Sequence, residues 1–352
     1  MTFANRMIRL FVLSSCSLFL AGCATSFTSR VNPPSNFESR ESFYLEKAPS
    51  VDQKSYQCGP AALESVIRYW GGNADADSIG KAIYGPKTRG VLNFTLAQYL
   101  KTAGFWTEVH EEQTEQDLKR WLRKGIPPIV MLDTGTLWVR TYHFVVLKGF
   151  DDRLNIFYAN TGVLETQSID YAEFGRRWKK AGRWSLITAP PEKVDWELDE
   201  AQSIDIALMF EKSGNRAEAE RRLESALVKN PESVTAKFNL ANIYSQSNRP
   251  EQAKIIYQEL LHNNPARPEL SNNLAWVYYQ EGRCEEAIKI IEAAFKSGAP
   301  RNYEILDTVG MIYCKSGRVE DARRAFLEAE SKVPAGDAAA LRLIQDHRNS
   351  CQ

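Results

Sequence analysis

The chain has 352 residues, a length that suits two ordinary domains. Its 44 Lys and Arg residues equal its 44 Asp and Glu residues in number, so the overall charge gives no support to nucleic-acid binding. The one basic cluster, at 176–183, lies beside Trp178 and Trp184 and is interpreted as the solvated face of a helix.

The N-terminal residues have the pattern of a secretory signal peptide. Arg6 and Arg9 supply the positive start, and an apolar run follows over residues 10–20. That run is too short to span a bilayer as a helix. Residues 1–22 are therefore predicted to be a cleaved signal peptide.

The signal ends in Leu-Ala-Gly-Cys at residues 20–23, which resembles the lipobox of bacterial lipoproteins. The resemblance implies cleavage before Cys23, diacylglycerol on its thiol and acylation of the new amine, so that several acyl chains hold the protein on a membrane. Ala24 follows instead of Asp, which implies the outer membrane, with the protein facing the periplasm. Residues 23–48 lack helical or strand periodicity and are interpreted as a lipidated tether.

Cys58 stands at the start of a predicted helix. The apolar residues after it have helical spacing, and a pair of glycines ends the segment at 71–72. Pro60 suits the first helical turn, where its missing amide proton costs nothing. The helix dipole and a neighbouring imidazole would both favour the thiolate, which is the reactive form. Cys58 is therefore the candidate nucleophile, and a buried structural cysteine is the alternative.

Three short segments predict strands, and two of them carry polar residues at their ends. The segments are apolar or alternating runs at 129–132, 144–147 and 154–158. His143 directly precedes the second run, and Asn160 follows the third. If these strands are antiparallel neighbours, Asn160 lies beside His143. The imidazole could then accept the thiol proton while the Asn amide fixes its tautomer.

Two further side chains bear on this predicted site. Gln53 precedes Cys58, and its amide could stabilise an oxyanion. His110 is the rival base in this half of the chain, but an acidic loop follows it. The sequence contains no metal-ligand cluster, phosphate loop or nucleotide signature, so no metal and no cofactor are expected.

These motifs together resemble a peptidase family. The relevant segments are Gln-x-x-x-Gln-Cys-Gly-Pro-Ala-Ala-Leu at 53–63, a helix-then-strand segment at 115–130, and His143-Phe-Val-Val with Gly149. They are similar to the motifs of the papain-like cysteine peptidases that process bacteriocin double-glycine leader peptides. The resemblance runs from about residue 51 to residue 189 of the chain.

The resemblance implies an α+β papain-like cysteine peptidase domain over residues 49–191. It assigns Cys58 as nucleophile, His143 as base, Asn160 as orienting group and Gln53 as oxyanion donor. Two positions depart from the family pattern. Asn160 and the Thr after it stand where the family generally has Asp-Pro, and the Gln often lies one residue further upstream of the Cys.

The second half of the chain repeats with a period of 34 or 35 residues. Four sets of residues keep this spacing: Ala219, Ala253, Ala287 and Ala322; Ala207, Ala241, Ala275 and Gly310; Phe210, Tyr244, Tyr278 and Tyr313; and Leu223, Tyr257, Ile291 and Phe326. The pattern resembles the tetratricopeptide repeat. It implies an all-α solenoid of about four helix pairs over residues 198–335, followed by a C-terminal tail at 336–352. Such a solenoid usually binds a peptide or another protein in its groove, and a purely structural role is the alternative.

Two cysteines of the repeats are candidates for a disulfide. Cys284 begins the second helix of the third repeat, and Cys314 ends the first helix of the fourth. Because successive helices run antiparallel, these two ends are expected to be neighbours. A Cys284–Cys314 disulfide is therefore predicted in an oxidising compartment. Two buried free thiols are the alternative, and Cys58 has no obvious partner in either case.

Taken together, the patterns predict a membrane-anchored cysteine peptidase that hydrolyses peptide bonds, with repeats that recruit a protein substrate or partner. Two alternatives remain. The same order of residues serves thiol-dependent peptide transferases such as phytochelatin synthase. The chain could also be a catalytically silent lipoprotein adaptor that binds partners through its repeats.

Overall fold

The computed structural model describes residues 28–31, 41–52, 57–84, 93–136, 139–163 and 166–351. The chain divides into two compact units, Met1–Asp195 and Trp196–Gln352. The predicted signal peptide, Cys23 and Gln53 lie outside the described residues. The predicted tether over residues 23–48 is wrong at its end, because Ser42–Tyr44 pair with Gly149–Asp151 in the sheet and Leu45 and Ala48 are buried in the core.

The first unit combines strands and helices. Its elements are β1 (Ser29–Arg30), β2 (Ser42–Tyr44), α1 (Cys58–Tyr69), α2 (Ala76–Ile83), α3 (Asn93–Thr102), β3 (Trp106–His110), α4 (Glu115–Arg123), β4 (Ile129–Asp133), β5 (Tyr142–Asp151), β6 (Ile156–Asn160), β7 (Gln167–Asp170), α5 (Tyr171–Lys180) and β8 (Ser185–Ala189). The three predicted strands correspond to β4, β5 and β6, and the predicted helix after Cys58 corresponds to α1. The α+β prediction for this half is confirmed.

All strands that the structure describes join one antiparallel sheet. Its order is β1-β7-β6-β5-β4-β8-β3, and the short strand β2 also pairs with β5. The registers Val146↔Asn160 and Leu132↔His143 fix β5 between β6 and β4. The two strands that carry the predicted base and orienting group are therefore antiparallel neighbours, as the sequence suggested.

Each face of the sheet carries its own apolar cluster. Alternate residues of β5 enter different clusters because side chains alternate along a strand. Phe144 and Val146 pack with residues of α1, α2 and α3. Val145 and Leu147 pack with residues of α4 and α5. Every residue of β5 after the first is buried, so both faces of this strand are covered.

The second unit is helical throughout its described length. Its helices are α6 (Glu200–Lys212), α7 (Arg216–Lys229), α8 (Val234–Gln246), α9 (Pro250–Asn263), α10 (Pro268–Gln280), α11 (Cys284–Lys296), α12 (Tyr303–Lys315), α13 (Val319–Lys332) and α14 (Ala338–Ser350). Several of these helices begin after an N-cap residue whose side chain accepts a hydrogen bond from a backbone amide of the first turn. Asp199, Ser233 and Asn302 are examples. Helices α6 to α13 form the four predicted pairs, and the prediction of an all-α solenoid is confirmed.

The signature residues have the packing roles that the repeat pattern predicts. The alanines at 219, 253, 287 and 322 are fully buried. At Gly310, an added Cβ would lie 2.5 Å from the ring of Phe326, so only glycine allows this close helix approach. The turn inside the second pair uses Asn248 at φ +57°, where the other pairs have glycine.

The C-terminal segment differs from the prediction of a tail. Residues 338–350 form α14, which packs on α12 and α13. Ile344 is 2% exposed, and the His347 Nδ1 atom lies 2.9 Å from the Asp307 carboxylate. Through these contacts α14 covers the last predicted helix pair.

The predicted Cys284–Cys314 disulfide is wrong. Cys314 is bonded to Cys351, with a Cα–Cα distance of 5.6 Å, and Cys284 is a buried free thiol. Cys284 packs in a cluster built from α10, α11 and α12, whereas Cys314 packs with Phe326 in the cluster that includes Cys351. Residues 336–352 were predicted to be a tail, so Cys351 was not considered as the partner.

In the part of the chain that the structure describes, no helix has both the length and the hydropathy needed to cross a bilayer.

We expect alkylation mapping to find the Cys314–Cys351 bridge. In denatured, unreduced full-length protein, iodoacetamide should label Cys284 and leave Cys314 and Cys351 unlabelled until reductant is added. The bridge closes a 37-residue loop. Loss of the bridge in Cys351→Ser should therefore destabilise the last repeat by about 4 kcal/mol on chain-entropy grounds. A peptide pair that links Cys284 to Cys314 would contradict the assignment.

Candidate active site

Cys58 is the first residue of α1 and is partly buried. The first helical hydrogen bond runs from Ala61 N to Gln57 O at 2.9 Å. The amides of Cys58 and Gly59 therefore lie ahead of the helical ladder, at the positive end of the helix dipole. The Cys58 side chain packs against the cluster that includes Phe144 of β5. The thiol thus lies on an element that contacts the strand carrying the candidate base.

His143 is the second residue of β5 and is 3% exposed. Its Nε2 atom lies 3.0 Å from the backbone oxygen of Thr161. A carbonyl oxygen can only accept a hydrogen bond, so Nε2 carries the proton in the neutral ring and Nδ1 is the basic atom. Burial lowers the pKa of His143 below its usual value, and the hydrogen bond to Thr161 opposes that shift. The neutral form that a general base needs is therefore favoured at neutral pH.

Asn160 does not orient His143 directly, which corrects the sequence prediction. Its Oδ1 accepts from the Gly162 amide at 3.0 Å, and its Nδ2 donates to Pro49 O at 3.5 Å. The bond to Gly162 closes an Asx turn, in which Gly162 has φ +92°. This turn presents the Thr161 carbonyl to the imidazole. The Asn160 side chain therefore acts on the His143 ring only indirectly, by shaping the turn that carries Thr161.

The Pro49 carbonyl connects this turn to the nucleophile helix. It accepts from Ser65 Oγ of α1 at 2.7 Å and from Asn160 Nδ2 at 3.5 Å. Ser65 and Asn160 are both buried. The segment before the nucleophile therefore joins α1 to the end of β6.

The other residues considered for the site are two glutamines near Cys58 and a second histidine, His110. Gln53 lies outside the described residues. Gln57, the other Gln near the nucleophile, donates through Nε2 to Asp77 Oδ1 of α2 at 3.0 Å. His110 ends β3 beside Glu108, and β4 and β8 separate β3 from β5. His110 is therefore not the base for Cys58.

The described residues include no group of three or more His, Cys, Asp or Glu side chains that could hold a metal ion.

Two groups near the site were missed by sequence reasoning. The Thr161 carbonyl is a backbone atom, and its role depends on the turn that Asn160 and Gly162 form. Tyr84 lies at the end of α2, close enough to Cys58 that the thiolate charge affects its pKa. A glycine inside α2, Gly80, was the available signal, because glycine inside a helix marks a packing constraint.

The lowered pKa of His143 predicts a pH dependence of stability. The unfolded chain takes up this proton as the pH falls through about 6.5, while the folded chain resists it. This contribution to the free energy of unfolding is present above pH 6.5 and is lost as the pH falls through the folded pKa. His143→Gln, which retains a donor for Thr161, should lose less stability than wild type between pH 7.5 and pH 5.5. Hydrogen exchange of β5 peptides measures this, with His110→Gln as control, and parallel pH profiles of wild type and His143→Gln would contradict it.

Family models match both units. Residues 45–186 match the Peptidase_C39 like family. Residues 211–272 and 272–337 match two tetratricopeptide repeat models. A search of curated proteins finds no match.

Solved structures of both kinds are similar to parts of the chain. A tetratricopeptide repeat protein from Parabacteroides merdae is 21% identical over 43% of this chain, with a TM-score of 0.37, and the match spans 56% of its own length. A C39-like peptidase from Bacillus anthracis is 16% identical over 42% of this chain and 98% of its own, with a TM-score of 0.36. The peptidase domain of Streptococcus ComA, a bifunctional ABC transporter, is 22% identical over 41% of this chain and 98% of its own, with a TM-score of 0.35.

The peptidase model matches the first structural unit and the two repeat models match the second. The match at 45–186 contains Cys58, His143 and Asn160, and the two repeat matches together run from α6 to the residue before α14. The chain therefore consists of a C39-peptidase-like domain followed by tetratricopeptide repeats.

Proposed function

We propose that this protein is a cysteine peptidase that hydrolyses peptide bonds with Cys58 as nucleophile and His143 as general base. The observation that carries the proposal is the buried imidazole whose Nε2 is bonded to the Thr161 carbonyl at 3.0 Å. That bond leaves Nδ1 as the proton acceptor on a strand that packs against the nucleophile helix.

In the proposed reaction, His143 Nδ1 takes the Cys58 proton and the thiolate attacks the substrate carbonyl carbon. The oxyanion accepts hydrogen bonds from the Cys58 amide and from the Gln53 side chain. His143 then gives its proton to the leaving amine as the C–N bond breaks. A water molecule, deprotonated by His143, hydrolyses the thioester and restores the thiol.

Local electrostatics support the two ends of this proton transfer. The start of α1 places a partial positive charge at Cys58, which favours the thiolate. The Thr161 oxygen accepts a hydrogen bond from the His143 ring and so stabilises the imidazolium that forms. Burial of the ring has the opposite effect, because it disfavours the positive charge. A catalytic hydrogen bond between nucleophile and base is often long before substrate binds and shortens in the complex.

The repeats have a separate part in the proposal. Tetratricopeptide repeats bind proteins, and here we propose that they hold the protein substrate or a partner of the peptidase. Tethering a weak substrate in this way raises its concentration at the site without any new contact to Cys58.

We further propose that Cys23 carries a lipid anchor and that the protein lies at the outer membrane, facing the periplasm. The motif at residues 20–23 supports this placement. The Cys314–Cys351 disulfide also suits an oxidising compartment, since cytosolic proteins rarely retain such bonds.

Peptide cleavage tests the proposed activity. Full-length protein incubated with a mixture of peptides of defined sequence should produce new termini, identified by mass spectrometry. Cys58→Ala and His143→Ala should each lower cleavage by at least about a thousandfold, because nucleophile and base act as a unit. Cys284→Ala, which removes a buried thiol of the repeats, is the matched control and should retain activity.

The same measurement separates the alternatives. Products joined to a second amine instead of water would indicate a peptide transferase. Cleavage that persists in Cys58→Ala would remove Cys58 from the mechanism. Absence of any product, together with a partner that co-purifies with Cys58→Ala as well as with wild type, would indicate an adaptor.

A further inference from the structure

Helix α2 is fixed against the nucleophile end of α1. The Glu64 Oε2 atom of α1 accepts from the Ala76 amide at 2.7 Å, in a buried hydrogen bond at the start of α2. At the other end of this contact, Gln57 donates to Asp77 at 3.0 Å. Ile79 of α2 is 1% exposed and belongs to the same apolar cluster as α1. The short helix is therefore a rigid support beside Cys58.

A glycine inside α2 determines where the next aromatic side chain lies. Gly80 is buried in the helix interior, where glycine costs about 1 kcal/mol relative to alanine. An added Cβ would lie 3.2 Å from Cε2 of Tyr84 and 3.7 Å from Cγ of Pro60. The missing methyl group thus makes room for the Tyr84 ring next to the first turn of α1.

The backbone fixes Tyr84 as well. Its amide donates to Gly80 O at 2.9 Å, which makes it the C-cap of α2. Its side chain is partly buried, and burial together with the negative charge of the Cys58 thiolate raises the pKa of Tyr84 to about 12. The phenol therefore stays protonated and can donate a hydrogen bond throughout the physiological pH range.

We infer that Tyr84 is a second activating residue, whose hydroxyl donates to the Cys58 sulfur and stabilises the thiolate. The inference rests on the proposed function of Cys58 as nucleophile. Hydrogen bonds to a charged acceptor are worth more than neutral ones, so the phenol would make the thiolate easier to form before substrate binds. Tyr84 and His143 then have different tasks, because the phenol lowers the cost of the sulfur charge and the imidazole holds the proton.

Three acidic groups on α1 and α2 already have partners. On α2, Asp77 accepts from Gln57, and Asp75 accepts from the amides at the start of its own helix. On α1, Glu64 is bonded to Ala76 and paired with Arg68 at 2.8 Å.

The test is the pH dependence of alkylation at Cys58. Full-length protein is treated with iodoacetamide between pH 5 and pH 10, and labelling is read at the Cys58 peptide by mass spectrometry. Tyr84→Phe removes the hydroxyl and keeps the ring. We expect its labelling midpoint to rise by about one pH unit, with labelling below the midpoint slowed about threefold to tenfold.

Two further variants control for packing and for loss of a phenol. Gly80→Ala adds a methyl group 3.2 Å from the Tyr84 ring, which shifts the ring by a few tenths of an ångström. Its midpoint should therefore rise in the same direction, by less than in Tyr84→Phe, while helix propensity improves. Tyr69→Phe removes a hydroxyl that donates to Gly125 O at 2.6 Å at the far end of α1, and its midpoint should equal that of wild type.

The outcomes separate the inference from the proposed function. A low wild-type midpoint that rises in His143→Ala but not in Tyr84→Phe would overturn the role of Tyr84 and leave the nucleophile assignment intact. A midpoint that rises in Tyr84→Phe but not in His143→Ala would support Tyr84 and contradict the proposed base. An ordinary thiol midpoint in wild type, unchanged in both variants, would overturn both.

Discussion

The first unit depends on the burial of β5. This strand pairs with β4 and β6 along its edges, meets β2 near its end and is covered on both faces. Such a strand has little freedom to move, because each displacement would expose apolar area and break ladder hydrogen bonds. His143 is carried by the rigid element, and α1 uses the same strand as its packing surface. His143 and Cys58, the proposed base and nucleophile, thereby take their positions from one strand.

The group that holds the imidazole is a main-chain oxygen. A carboxylate at that place would add a full negative charge and favour the charged ring strongly, whereas a carbonyl supplies only a dipole. The His143 ring is thus fixed in one tautomer with a modest electrostatic bias. In this site a turn of the backbone replaces a side chain, and Asn160 and Gly162 matter because they give the turn its shape.

The sequence predicted much of this arrangement, and the limits of the prediction have physical causes. Periodicity predicted α1, β4 and β5 because one or both faces of these elements are buried, and burial leaves a pattern in residue type. The partner of His143 could not be predicted in the same way, since every residue has a carbonyl. The disulfide was missed because Ile344 is the one buried residue of α14, so the helix leaves little apolar pattern in the sequence.

The covalent link between α12 and the residue after α14 gives the helical array a direction. In a stack of repeats each unit is stabilised by its neighbours, so the end units open first. Cys314–Cys351 locks the C-terminal end in this stack, since α14 cannot leave while the bond is intact. A force applied beyond Cys351 would therefore reach α12 through the bond and bypass the segment between the two cysteines, which lie 37 positions apart in the sequence. The helical array therefore carries a covalent reinforcement at its C-terminal end.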